Sequence, residues 1–155
     1  MPVAALSDWL VFVHVLAAMV WVGGLAAFAA FSFHALRTDD PGTVARFVGS
    51  LRVVGPMILA PSSVLVLLVG IWLVLDGDGF SFGQTWIWLA LLLLAAAVLV
   101  GVAYLARMAQ GAERAVAAGD HQLARAQLRR WSWGIRLILL LLVVATWDMI
   151  FKPGL

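Results

Sequence analysis

The sequence predicts an all-α integral membrane fold: an antiparallel bundle of four transmembrane helices with both termini outside. Three observations carry that expectation. Of 155 residues, 65% are hydrophobic and 12% charged, with a mean hydropathy of +1.06; a soluble domain of this size needs far more polar surface to stay dispersed. Four apolar runs follow one another, each long enough at ~1.5 Å per residue to cross a ~30 Å hydrocarbon core. The connections between them divide sharply by charge, as membrane topology requires.

The first run covers about 9–35, WLVFVHVLAAMVWVGGLAAFAAFSF and its flanks, after Ser7 and Asp8, which suit a helix N-cap. It lacks a basic n-region and is too long for a signal-peptide core, so it reads as a span and not as a cleavable signal. The second run, about 53–75, contains Pro56 and Pro61. Pro61 removes a backbone donor and should kink the helix, with Ser62 and Ser63 beside it to re-satisfy freed carbonyls. The third covers about 85–105 and the fourth about 131–151. Together they form one transmembrane domain, residues 1–155.

Arg37, Arg46 and Arg52 lie between spans one and two, and Arg107, Arg114, Arg125, Arg129 and Arg130 between spans three and four. The connection LDGDGFSFGQ between spans two and three has Asp76 and Asp78 and no basic residue. The positive-inside rule then puts loops 36–52 and 106–130 in the cytoplasm and both termini outside. The later loop, ARMAQGAERAVAAGDHQLARAQLRR, reads as helical on both sides of Gly119 and Asp120. Arg46 and Gly55 share their spacing with Arg125 and Gly134, which suggests that spans three and four repeat spans one and two in parallel.

A formal net charge of +2 is too small to argue for nucleic acid, and the absence of cysteine removes disulfides and thiolate chemistry. No phosphate-binding loop, nucleophile elbow, zinc-protease helix or dinucleotide fingerprint is present, so the sequence does not decide whether the protein is an enzyme. The chemistry-bearing candidates are the ionisable residues inside the spans. His14 lies ~9 Å along the helix from Asp8, and Asp148 ~6 Å from Lys152, so the two share a depth near the outer leaflet. Each needs a partner there. A carboxylate on one imidazole nitrogen would set the tautomer and leave the other nitrogen as a ligand; a purely structural pair or two interface anchors is the competing reading. His14, Ala17, Ala18, Trp21 and Gly24 form one helical stripe. Its small residues suit close approach of a neighbouring helix or a flat ligand.

Other polar residues read more plainly. His34, roughly 30 Å from His14 along the helix, is an interfacial histidine. His121 is a solvated one, and Arg136 snorkels from the cytoplasmic end of span four. Met149 shares the depth of His14, but as the neighbour of Asp148 it is expected to point elsewhere, so a soft-metal site from Met and His is only thinly indicated.

Trp9, His14, Trp21 and Gly24 in WLVFVHVLAAMVWVGG resemble the first helix of CopD-like and HemJ-like membrane proteins, which carry a histidine followed seven positions later by Trp and then Gly. The resemblance continues through PMILAPSSVLVLLVGIWL and QTWIWLALLLL. The ending TWDMIFKPG is similar to a related family of predicted bacterial membrane proteins of unknown function. The HemJ-like resemblance implies haem b bound through His14 for redox chemistry on a porphyrin; the CopD-like one implies copper uptake or resistance. Ala90 stands where HemJ-like chains carry a lysine, and their Asn-Glu feature before the fourth helix is absent, which argues against protoporphyrinogen oxidation. The expectation is a small bacterial cytoplasmic-membrane protein that binds haem b or a porphyrin through His14. Asp148 would be the supporting partner, and Trp9, Trp21, Trp147 and Gly24 would surround the cofactor. The alternatives are copper handled by His14 and Asp148 at the outer face, or a non-catalytic accessory subunit. A homodimer or a membrane partner protein would accompany the lipid bilayer as partner.

Overall fold

A computed structural model describes residues 3–38, 40–76 and 82–153, with side chains from Leu6 onward. Four helices account for nearly all of it: α1 (Val3–Arg37), α2 (Pro41–Asp76), α3 (Thr85–Ala117) and α4 (His121–Phe151). All four are long and apolar enough to cross a membrane. Four antiparallel helices put the start of α1 and the end of α4 at one end of the bundle. Asp78 of the second connection lies outside the described residues.

Each helix outruns its expected span. With 36 residues in α2 and 33 in α3, the rise of ~1.5 Å per residue gives roughly 50 Å, well beyond a ~30 Å core. The expected loop 36–52 is therefore mostly helix. Asp40 caps α2, its carboxylate accepting from the amides of Gly42 and Thr43 at 3.0 Å each, with Pro41 in the first turn. The extension is held because Val44, Phe47, Val48 and Leu51 recur at helical spacing and are buried. At the same end the α3–α4 turn follows expectation: Gly119 takes a left-handed φ of 72°, and Asp120 caps α4 by accepting from the Leu123 amide at 2.9 Å. The expected start of α1 at Ser7 and Asp8 is overrun by one turn.

The proline irregularity falls one turn earlier than Pro61. Gly55–Leu59 is π-helical, with the Ala60 amide bonded to the Gly55 carbonyl, because Pro56 has no N–H to keep the regular ladder. Ser62 and Ser63 donate to the Ile58 and Ala60 carbonyls at 2.7 and 2.8 Å. A second π-helical stretch, Val100–Leu105, interrupts α3; no proline announces it.

Helix α4 touches α1, α2 and α3 and carries several of the largest fully buried side chains, among them Leu128, Ile135 and Ile138. Since lipid is as apolar as leucine, packing rests on fit. A Cβ on Gly134 would stand 2.6 Å from Leu105 Cδ2 and 2.8 Å from the Tyr104 ring, and one on Gly24 would stand 2.6 Å from Leu59 Cδ2. Phe28, Phe47 and Trp131 interlock with centroids 5.7–6.4 Å apart, tying α1, α2 and α4 together near the arginine-bearing end. The outward faces are large and apolar, as lipid contact requires.

Candidate functional site

His14 reaches the interior because α2 makes room for it. A Cβ at Gly70 would lie 3.1 Å from His14 Cε1 and 3.5 Å from Nδ1, so the ring edge occupies the place of a side chain on α2. The Val66 backbone, one turn earlier, is turned toward the ring. Even so, Nδ1 is fully buried and no hydrogen bond closes on it. Beside the ring is a cleft of about 50 Å³, walled by Ala18, Trp21, Val66, Thr146 and Met149 among others. A water needs ~10–15 Å³, so the cleft takes an ion or a few waters. The Thr146 hydroxyl donates to the Leu142 carbonyl at 2.8 Å, which leaves its lone pairs free to accept.

Helix α4 does pack beside α1, as a His14–Asp148 contact demands, but the pair is not closed. Asp148 is 0% exposed, and neither carboxylate oxygen has a hydrogen-bond partner. Met149 turns to the His14 cleft, and Asp148, ~100° away around the helix, does not line it. The expectation that Met149 points elsewhere is thus corrected. At the end of α4 the Lys152 amide bonds to the Asp148 carbonyl at 2.8 Å. Lys152 itself has φ 44° and sets its ammonium 5.4 Å above the ring of Trp86 on α3.

Of the three tryptophans expected to line the site, only Trp21 (5% exposed) does so. Trp9 (66%) and Trp147 (49%) face outward, Trp9 meeting Phe12 edge-to-face and Trp147 meeting Phe151 at a tilt, the pattern of interfacial aromatics. Gly24 lies farther along α1 against Leu59 and serves packing. His34 and His121 are exposed. Arg136 is exposed and sits 5.0 Å above Trp133. Among the described residues no three His, Asp or Glu side chains gather as a metal cluster. Sequence reasoning missed Gly70 and Val66; the signal was a glycine inside the aliphatic run LVLLVGIWL.

Four spans around one intramembrane histidine agree with a family model that matches residues 8–153. The chain belongs to the DUF2269 family of predicted integral membrane proteins. No curated protein and no solved structure matches it. For this DUF2269 chain, then, the cleft geometry is the guide to chemistry. Small-molecule pockets begin at ~300 Å³, and a cleft of about 50 Å³ is on the scale of a single ion or a few waters.

Proposed function

We propose that this DUF2269 protein handles a single soft metal ion, copper(I), within the membrane, with His14 as its anchoring ligand. The observation that carries this reading is the one-ion cleft shared by an imidazole and a thioether, His14 and Met149. With Nδ1 turned to the α2 backbone, Nε2 is the nitrogen left to bind. Imidazole and thioether together favour copper(I) over hard cations. Asp148, adjacent in sequence to Met149, does not line the cleft and is not a ligand in this arrangement. The protein sits in a bacterial inner membrane with its arginine-rich end in the cytoplasm, which places the copper cleft toward the outer face.

The test is copper retention by the detergent-purified protein loaded under reducing conditions, with X-ray absorption to identify the donors. The expected result is about one copper per chain with mixed nitrogen and sulfur donors. It is abolished in His14→Ala and loses the sulfur contribution in Met149→Leu. No retained copper would overturn the reading. A Soret band that disappears in His14→Ala would replace it with haem; neither signal, with a co-purifying partner, would make the protein an accessory subunit.

A further inference from the structure

The arginines at the far end of the bundle fall into two groups. On the α1–α2 side they have partners inside the protein: Arg46 pairs with Asp40 at 3.5 Å, Arg52 with Glu113 at 3.1 Å, and Arg37 lies 4.3 Å above Phe33. Arg125 donates to the Leu36 carbonyl at 2.9 Å. On the α3–α4 flank, Arg107, Arg129 and Arg130 are exposed and form no ion pair among the described residues. Two contacts set their level. Tyr104 donates to the Arg130 carbonyl at 3.3 Å, and Gly111 meets Gln127, so in this antiparallel pair Arg107 stands level with Arg129 and Arg130. Arg129, Trp133 and Arg136 follow spacings of four and three on one exposed face of α4, with Arg136 over the Trp133 ring. Exposed Trp133 and Tyr104 mark the headgroup depth. The π-helical stretch that ends at Leu105 carries Tyr104 onto Gly134, where its ring fills the place of a side chain.

We propose that this flank binds the phosphate of an anionic phospholipid headgroup through Arg107, Arg129 and Arg130, with Trp133 and Tyr104 against its glycerol region. Guanidinium forks match phosphate oxygens in pairs, and among the described residues no carboxylate pairs with these three arginines. The site is independent of the copper reading.

The experiment is native mass spectrometry of the full chain released from micelles that contain equal phosphatidylglycerol and phosphatidylcholine. Wild type retains phosphatidylglycerol preferentially. Each of Arg129→Gln and Arg130→Gln lowers the preference about fivefold, the equivalent of ~1 kcal/mol per interfacial arginine, while Arg46→Gln leaves it unchanged. The double Arg→Lys variant keeps most of the preference and serves if the glutamine variants fail to fold. Equal retention of the two lipids by wild type, or an equal loss in Arg46→Gln, overturns the proposal.

Discussion

The two halves of the bundle are built on one frame and furnished differently. Gly24 of α1 approaches Leu59 of α2, and Gly101 of α3 approaches Ile138 of α4. Buried Ala17, Phe28 and Ala35 in α1 correspond to buried Leu94, Leu105 and Ala112 in α3, and Ser63, Val66 and Val69 in α2 to Leu142, Ala145 and Asp148 in α4. The α2–α4 register follows the shared spacing of Arg46 and Gly55 with Arg125 and Gly134; the α1–α3 register, two residues shorter, follows Gly24 and Gly101. Within it, His14 takes the place that Leu91 holds in the other half, Gly70 that of Met149, and Val69 that of Asp148. Apolar residues therefore satisfy the packing at each position. The imidazole, contributed by the first half, and the carboxylate and thioether, contributed by the second, are additions to a frame that stands without them.

The largest test of this comparison is steric. Gly134→Val drives methyl groups into Leu105 and the stiff Tyr104 ring and should destabilise by about 3 kcal/mol. Gly24→Val meets only the movable end of Leu59 and should lower the unfolding temperature in detergent less. Equal losses would mean that the halves pack alike after all. Next, Asp148→Val copies the first half's Val69. Removing a fully buried carboxylate whose oxygens have no partner should raise stability by about 1–2 kcal/mol in chemical unfolding. A loss of stability would show that the carboxylate is part of the frame.

The smallest effect belongs to the first half's turn. The Thr43 hydroxyl, then the Gly42 amide, hold the Asp40 carboxyl below its usual pKa. A depressed folded-state pKa means that the cap contributes above the unfolded carboxyl's pKa and is lost as pH falls through the folded one. Asp40→Asn, still a competent cap, should flatten that acid decline in a pH series of melting temperatures, with little change at neutral pH.

How legible all this was varied with the physics. Spans announce themselves because a bilayer demands ~20 apolar residues in a row. Residues 41–52 did not read as helix because their arginines masked the spacing of Val44, Phe47, Val48 and Leu51, although Pro41 and Asp40 offered a start signal. For the site, helical rise correctly set His14 level with the end of α4, but rise says nothing of rotation. Which of Asp148 and Met149 meets the imidazole depends on how α4 is turned by its contacts with three neighbours, and no one-dimensional pattern holds that. Gly70 carried no weight in sequence because glycine is common in spans; its meaning appears only when the ring that fills its place is known.

The Arg125 guanidinium bonds the carbonyl of Leu36, 89 residues earlier. During synthesis α1 emerges before α4, so the Leu36 carbonyl has no Arg125 partner until the second hairpin arrives. The first pair of helices is thus left unfinished at its membrane edge, and closure of that end marks the moment when both hairpins have been delivered and have met.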